Sequence, residues 1–208
     1  MTEADPRAVV ASGYDAMAER YLRWTSGSPL RLQRATALAG RLSAGARTLD
    51  LGCGAGVPVA SIFADHGCAV VGVDGSRRQI ALAKSNEPRA DFICADMTAV
   101  DFLPASFDAV TAFYSITHVP RDAHPALLAN VFRWLRPGGA FLATFGAEDT
   151  PGWRGDWLGA PMFFSHFDAA TNRAMVEEAG FAIESDEMVG EEEFGALVRF
   201  LWILARKD

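Results

Sequence analysis

A glycine-rich turn between an apolar segment and a predicted helix is the feature of this sequence with the clearest chemical use. Three glycines alternate with small residues over 52–56, directly after the apolar segment 47–51. Glycine lets the backbone adopt positive φ angles and approach a ligand closely. A dinucleotide fingerprint would place its third glycine at position 57, where Val57 stands. The spacing G-x-G-x-G therefore predicts a loop that holds part of a small ligand.

Two carboxylates follow at positions where an adenosine group would need them. Asp74 ends the second predicted strand, 22 residues after Gly52, where a carboxylate can accept hydrogen bonds from both ribose hydroxyls. Asp96 ends the third, where it can accept from an adenine amine while Met97 packs against the ring. Either aspartate alone is more simply a cap or a turn former. Together with the glycine turn, they indicate an adenosine-containing ligand.

The elements that position these residues follow the rhythm of parallel strands joined by crossover helices. Several of the apolar segments are hydrophobic on both faces, as buried parallel strands are. The fold class is therefore α/β with a doubly wound sheet. The predicted strands are 47–51, 69–74, 91–95, 108–113 and 140–145, and the helices between them are 57–66, 76–85 and 122–135.

The two ends of the chain add helices and a hairpin. Segments 6–23 and 29–42 carry apolar residues at helical spacing. Asp168 caps a further helix, and two strands follow it at 182–189 and 196–205. Their six-residue connection is too short for a crossover helix, so these strands form an antiparallel hairpin. Its acidic run, Glu191 to Glu193, is interpreted as a solvated loop without a function.

These motifs resemble those of class I S-adenosylmethionine-dependent methyltransferases of the small, single-domain kind. The resemblance lies in 50–56, 73–76, 95–97, 107–110 and 135–139. It implies a Rossmann-like sheet of seven strands, six of them parallel and the last antiparallel. It also implies one domain over residues 1–208. Its parts are an N-terminal helical cap (1–45), a cofactor-binding core (46–146), an aromatic lid insertion (147–167) and a C-terminal helix and hairpin (168–208).

The same resemblance implies S-adenosyl-L-methionine as cofactor and S-adenosyl-L-homocysteine as product. The glycine turn would carry the methionine part, Asp74 the ribose and Asp96 the adenine. Tyr14 and Tyr21 share a helix face and could reach the cofactor carboxylate, although they could equally be core aromatics. Cys53 fits by its size and need do no chemistry. The predicted cofactor-binding residues are Tyr14, Tyr21, Asp50, Gly52, Cys53, Gly54, Gly56, Asp74, Gly75, Asp96, Met97, Phe113 and Tyr114.

The catalytic residues of such an enzyme would lie in the loop after the fourth strand. Methyl transfer from a sulfonium is a direct displacement, so the protein must mainly align the acceptor and exclude water. His118 is the first candidate base because its ordinary pKa of ~6.5 suits proton removal near neutrality. A structural hydrogen bond is an equally good interpretation of this histidine. Ser115, in the same loop, is a candidate substrate-binding residue.

The segment 151–167 is rich in aromatic residues and also contains several Gly and Pro residues. The Gly and Pro residues argue against regular structure, and a loop this apolar must be covered by something. We predict an irregular lid in which Trp153 and Trp157 bind the acceptor and Arg154 meets an acidic substrate. His166 is a second candidate base, or else orders the turn before the next helix. Phe167 is expected to dock on the protein's own core.

Composition limits the partners and the cellular setting. The net charge of −7 offers no basic field for a nucleic acid, so a small-molecule acceptor is the better hypothesis. Three cysteines form neither a disulfide framework nor a metal motif, which predicts reduced thiols, no metal and a cytoplasmic location. No apolar stretch is long enough for a membrane span, and the N-terminus lacks a signal pattern. Seventeen arginines against two lysines indicate a GC-rich bacterial genome.

The sequence therefore predicts an enzyme that transfers a methyl group to an O, N or S atom of a small, partly apolar molecule. A monomer or a homodimer is expected. One alternative is an NAD(P)-binding oxidoreductase, against which Val57 and the missing second nucleotide half argue. Another is a methyltransferase-like subunit that regulates a partner without catalysis. His66 and His124 fall on predicted outer helices and are expected to be solvated.

Overall fold

The computed structural model describes residues 4–193 and 195–208. Residues 1–3 of the predicted N-terminal cap and Phe194 of the predicted hairpin loop lie outside it. The described chain forms one seven-stranded sheet with helices on both faces and a separate two-stranded sheet beside it.

The large sheet has the order β3-β2-β1-β4-β5-β9-β8. β9 is antiparallel to both of its neighbours, and the other six strands run in one direction. This arrangement confirms the predicted fold class, including the C-terminal hairpin. The strands of the large sheet are β1 (Arg47–Leu51), β2 (Ala69–Asp74), β3 (Asp91–Cys94), β4 (Phe107–Ala112), β5 (Leu135–Gly146), β8 (Phe181–Glu193) and β9 (Ala196–Lys207).

Six helices cover the sheet and start where the sequence offers a cap or a proline. Ser76 and Asp168 each accept a hydrogen bond from a backbone N–H in the first turn of the following helix, which satisfies a free donor there. Two apolar clusters result, one around Phe107 and Trp134 and one around Phe63 and Trp202. The helices are α1 (Pro6–Thr25), α2 (Pro29–Ala39), α3 (Val59–Asp65), α4 (Arg77–Asn86), α5 (His124–Trp134) and α6 (Ala169–Glu178).

The predicted irregular lid is in fact a β-hairpin, so that prediction was wrong. β6 (Thr150–Trp157) pairs antiparallel with β7 (Ala160–His166), with Trp157 opposite Ala160. Leu158 and Gly159 form the two-residue turn with φ angles of 55° and 69°, the positive values that a hairpin turn with right-handed strand twist requires. The other Gly and Pro residues of the segment lie within these two strands, which are both edge strands where their effect is tolerated.

Four further expectations concern single residues and the start of one strand. His124 is fully buried rather than solvated, because it begins α5 beneath the preceding loop and its Nε2–H donates to the Val119 carbonyl at 3.0 Å. β5 begins at Leu135, whereas the predicted strand began at residue 140. The residues between these positions form an irregular start of the strand, where its register with β4 shifts. His66 is exposed and Phe167 packs against the core, as predicted.

No helix in residues 4–193 and 195–208 has both the length and the apolar character needed to cross a bilayer. Within the same residues, no three His, Cys, Asp or Glu side chains gather closely enough to hold a metal ion.

Candidate active site

Two connected cavities open at the carboxyl ends of the central strands, with volumes of about 890 and 1720 Å³ including their mouths. We call the first the glycine-loop cavity and the second the aromatic cavity. Residues lining the glycine-loop cavity include Arg7, Tyr14, Gly52, Gly54, Asp74, Gly75, Gln79, Asp96, Met97, Phe113, Ser115 and His118. Residues lining the aromatic cavity include Tyr21, Trp24, Arg31, Tyr114, Trp153, Trp157, Phe164, His166 and Glu191 to Glu193.

The glycine turn forms one wall of the first cavity, and two of its glycines are required there. A Cβ at Gly52 would lie 2.2 Å from the Ser115 Cβ, so no other residue fits against this loop. Gly54 has a φ angle of 52° and little around it, so the cavity itself lies beside its backbone. The bare backbone makes a cradle that a side chain would fill.

Asp74 links this cradle to the start of α4. Its Oδ2 accepts from the Gly54 N–H at 2.9 Å and its Oδ1 accepts from the Ser76 N–H at 2.8 Å. Burial raises the pKa of the Asp74 carboxyl to about 6, although the backbone donors act in the opposite direction. Each carboxylate oxygen retains acceptor capacity toward a ligand in the cavity.

Asp96 lies at the other end of the glycine-loop cavity and is held by two elements. It accepts from the backbone and hydroxyl of Thr98, each at 2.8 Å. Arg7 of α1 reaches across to it with an Nε to Oδ2 distance of 2.8 Å. Sequence reasoning missed Arg7, since nothing in the sequence shows that the start of α1 lies over β3.

Gln79 is a second residue that the sequence did not indicate. Its side chain is buried, lines the glycine-loop cavity and has no hydrogen-bond partner for either amide atom. A buried amide without partners costs free energy unless a ligand or water satisfies it. Its Oε1 lies 3.9 Å from the position that a Cβ on Gly54 would take, so it faces the glycine cradle.

Three predicted cofactor residues lie behind the cavity wall. Asp50 is 3% exposed and accepts from the Thr111 hydroxyl at 2.7 Å, and burial raises its pKa to about 6. Cys53 is buried, with its thiol packed near Gly72. Gly56 approaches Ala83 of α4, where a Cβ would lie 3.3 Å from that residue. None of the three lines the cavity, and they shape and support the glycine turn from behind it.

The two cavities share four lining residues, Tyr14, Tyr21, Tyr114 and His118. The His118 Nδ1 lies 2.8 Å from the Phe163 carbonyl, which can only accept, so Nδ1 carries the proton. The Nε2 of the neutral ring then accepts from the Tyr14 hydroxyl at 2.8 Å. Burial lowers the pKa of His118 to about 4, so the ring is neutral at pH 7.

The candidate acceptor residues divide between the two cavities and the outer surface. Trp153, Trp157 and His166 line the aromatic cavity, while Ser115 lies under Gly52 in the glycine-loop cavity. The prediction that Arg154 meets the acceptor does not match the structure. Arg154 is exposed, donates to the Ala4 carbonyl at 3.0 Å and lies over the Phe163 ring, because alternation along β6 turns it away from Trp153.

Comparison with known proteins agrees with this geometry. Residues 48–139, which include the glycine turn, Asp74 and Asp96, match a family model described as a methyltransferase domain. Over this segment the chain is similar to the methyltransferases of that family.

Two curated proteins illustrate the similarity. The chain is 31% identical over 160 residues to the malonyl-(acyl-carrier protein) O-methyltransferase of Enterobacter lignolyticus, covering 76% of this chain and 61% of that protein. It is 31% identical over 161 residues to the 27-O-demethylrifamycin SV methyltransferase of Amycolatopsis mediterranei, covering 67% and 58%. The chain thus spans about three fifths of the length of these relatives.

A solved structure shows the same fold. The chain superposes on the 1,6-didemethyltoxoflavin-N1-methyltransferase of Burkholderia thailandensis with a TM-score of 0.72 and 24% sequence identity. The superposition covers 100% of this chain and 92% of that one. The neighbour contains bound 1,6-didemethyltoxoflavin and S-adenosylhomocysteine. The similarity establishes the class I methyltransferase fold for this chain.

The aromatic cavity is also lined by residues to which the sequence analysis gave no role. The acidic run was interpreted as a solvated loop, but it ends β8 and lines the aromatic cavity. Glu191 accepts from the Tyr114 hydroxyl. Arg31 of α2 donates to the Tyr21 hydroxyl at 2.9 Å and lies 4.4 Å from the Tyr114 ring centroid. Glu191 lies opposite Val198 in the observed hairpin, whose first strand runs past the predicted end at residue 189 and includes the acidic run. Nothing local indicates Arg31.

Proposed function

We propose that this protein is an S-adenosylmethionine-dependent methyltransferase that acts on a small, partly apolar molecule by direct displacement. The observation that carries the proposal is the meeting of the two cavities at Tyr14 and His118. One cavity has the glycine cradle and Asp74 of the matched domain, and the other has an aromatic lining suited to an organic acceptor. Direct transfer requires that donor and acceptor sites adjoin.

The residues of the glycine-loop cavity fit the cofactor. The cradle at Gly52 and Gly54 would take the methionine part, Asp74 the ribose hydroxyls and Asp96 the adenine amine. The unpartnered amide of Gln79 would satisfy its hydrogen bonds on the ligand. When bound, the cofactor supplies a methyl group on a positively charged sulfur, which becomes neutral once the methyl has left.

Tyr14 and His118 would remove the proton of the acceptor. A neutral O–H or N–H acceptor at the junction gives its proton to the Tyr14 oxygen as the Tyr14 hydroxyl proton passes to His118 Nε2, along the 2.8 Å hydrogen bond. Burial opposes a positive charge on the His118 ring. The ring would gain its proton as the positive charge on the cofactor sulfur is lost nearby, which offsets that cost. His166 lines the aromatic cavity but not the glycine-loop cavity, and it is the second candidate base.

The remaining features of the proposal concern setting and partners. The three cysteines are free, which fits a reducing bacterial cytoplasm. The negative net charge favours a small molecule over a nucleic acid as acceptor. Both cavities are lined by residues of one chain, which supports activity as a monomer or within a homodimer.

Calorimetric titration with S-adenosylhomocysteine tests the proposal. We expect the wild-type protein to bind and Asp74→Asn to bind at least tenfold more weakly, because charge-assisted hydrogen bonds to the ribose contribute roughly 1.5 to 3 kcal/mol each. Gln79→Met should weaken binding by a smaller factor.

The matched control is Asp91→Asn, an exposed carboxylate at the opposite end of the neighbouring strand, which should bind as wild type does. No heat with the wild-type protein, or equal affinity for wild type and Asp74→Asn, would refute the proposal. Competition by NADH would instead favour the oxidoreductase alternative.

A further inference from the structure

The wall of the aromatic cavity that faces the β6–β7 hairpin carries three consecutive carboxylates at the end of β8. We propose that the aromatic cavity binds an acceptor with a protonated amine, whose ammonium group lies against Glu191 and Glu193 among the surrounding rings. The proposal rests on the function proposed above and specifies its acceptor as an organic cation.

Ring donors on the cavity wall hold both carboxylates. Glu191 accepts from the Tyr114 hydroxyl, and the Glu193 side chain is hydrogen-bonded by Trp157. Each carboxylate can accept several hydrogen bonds, so one ring donor leaves capacity for an ammonium group. Glu191 and Glu193 are also partly buried on the same face of β8, where a charge-assisted hydrogen bond is stronger than at an exposed site.

The rings beside these carboxylates favour a cation as well. Tyr21, Trp24 and Trp157 pack against one another with centroid separations of 5.9 to 6.1 Å. Phe164 extends this aromatic wall toward the hairpin, 5.6 Å from Trp157. Electron-rich ring faces attract organic ammonium groups, and the attraction increases when water is excluded.

The positive groups of the cavity leave the carboxylates in excess. Arg31 is engaged on the wall, where it donates to Tyr21 and lies over the Tyr114 ring. Arg23 is exposed at the mouth. Burial lowers the pKa of both His118 and His166, so these rings add no positive charge at pH 7. Three glutamates line the cavity with two guanidinium groups, which leaves one net negative charge. Arg31 keeps its positive charge, which acts on Glu193.

The chemistry of an ammonium group separates recognition from reaction. An ammonium held by two carboxylates keeps its proton and has no lone pair with which to attack a methyl group. The methylated atom must then be a second nucleophile of the same acceptor, which reaches the junction at Tyr14 while the ammonium group stays beside Glu191 and Glu193.

Three phenols that share a 4-ethylphenol frame and differ in the group at the end of the ethyl chain provide the probes. Tyramine carries an ammonium group, 4-ethylphenol is neutral and 3-(4-hydroxyphenyl)propanoate is anionic. Binding to the full chain is measured by calorimetry and saturation-transfer NMR, with and without S-adenosylhomocysteine. We expect tyramine to bind at least tenfold more tightly than 4-ethylphenol, and the propanoate to bind most weakly.

The double variant Glu191→Gln/Glu193→Gln should lose the preference for tyramine. Glu187→Gln is the control, because Glu187 lies on the same strand outside the cavity and pairs with Arg34. Should the double variant not fold, 1 M NaCl on the wild type provides the second measurement, since salt should weaken the binding of tyramine and not of 4-ethylphenol.

The outcomes separate the two proposals. Equal affinity for the three probes, or a preference for the propanoate, would overturn the amine proposal even if S-adenosylhomocysteine binds. A tyramine preference without any binding of S-adenosylhomocysteine would support the amine site and refute the methyltransferase function.

Discussion

The tautomer of His118 is fixed by two neighbours rather than by the histidine itself. The Phe163 carbonyl selects the Nδ1–H tautomer, and this leaves Nε2 as an acceptor for Tyr14. The loop sequence indicated a histidine near the reacting atoms but left its role open. The structure shows an imidazole that is neutral, oriented and in contact with the junction of the cavities, as a base requires.

Long-range ¹H–¹⁵N NMR tests this arrangement without a substrate. We expect His118 to show the Nδ1–H tautomer at pH 7 and to gain a second proton only near pH 4, because burial disfavours the charged ring. His118→Gln assigns the signal. Tyr14→Phe should raise the pKa of His118, since it removes a donor that stabilises the neutral ring. A charged ring or the Nε2–H tautomer at pH 7 would contradict the role as base.

Residue by residue, the sequence predicted what local spacing determines. The glycine turn, Asp74 and Asp96 follow from positions at strand ends, and all three line one cavity. Arg7, Arg31 and Gln79 did not follow from spacing. The two arginines come from the N-terminal helices and reach the cavities only after those helices pack across the sheet, and Gln79 is identified only by its lack of partners.

At the scale of elements, α1 is the cover of the glycine-loop cavity and α4 is its anchor. Asp15 accepts from the Ser76 hydroxyl at 2.6 Å and from the Arg78 N–H at 2.9 Å, and Glu19 pairs with Arg78. A carboxylate at the N-terminus of α4 satisfies free backbone donors and interacts favourably with the helix dipole. Because Asp15 is held at the start of α4, its neighbour Tyr14 is positioned over the cavity.

Asp15→Ala should release this cover. We expect a loss of about 1 kcal/mol in the free energy of unfolding, as for removal of a helix cap, which corresponds to a fall in Tm of roughly 2 to 4 °C. S-adenosylhomocysteine should also dissociate several times faster, measured by stopped-flow fluorescence. Ser12→Ala, on an exposed position of the same helix, is the control. Unchanged dissociation in Asp15→Ala would show that α1 does not act as a cover.

The hairpin shows where element prediction failed and why. Its Gly and Pro residues concealed the alternation of β6 and β7, and Leu158 gives no sign of the positive φ angle it adopts in the turn. The pairing of the two strands depends instead on contacts between side chains that lie opposite one another, such as Trp153 and Phe164. Such contacts depend on the folded cavity and on α1, against which β7 packs, so no local pattern could have revealed them.

At the scale of the whole molecule, the α/β class with its mostly parallel sheet was predictable, because it depends on the alternation of apolar and amphipathic segments. The connection of the two cavities was not. It requires α1, the loop after β4, the hairpin and the end of β8 to meet at Tyr14, Tyr114 and Trp157. The short-range pattern thus specified the cofactor half of the site, and long-range packing specified the acceptor half.

Protonation of Asp74 should weaken the binding of S-adenosylhomocysteine, and the stability of the whole protein should report this linkage. The Asp74 carboxyl has a pKa of about 6 in the free protein, so it is charged at pH 8 and mostly protonated at pH 5. Only the charged form accepts fully from ribose hydroxyls, and affinity for S-adenosylhomocysteine should fall about tenfold between pH 8 and pH 5.

Thermal unfolding with and without S-adenosylhomocysteine at pH 8 and pH 5 measures this linkage. A ligand at 100 times its Kd stabilises the folded state by about 2.7 kcal/mol, which raises Tm by roughly 5 to 10 °C for a chain of this size. At the same concentration, a tenfold weaker affinity at pH 5 should halve that shift. Asp50 titrates in the same range, but Asp74→Asn retains Asp50 and should show a small shift that does not change with pH. A full shift at both pH values in the wild-type protein would mean that the Asp74 charge does not hold the ligand, and a pH-dependent shift in Asp74→Asn would assign the linkage to Asp50.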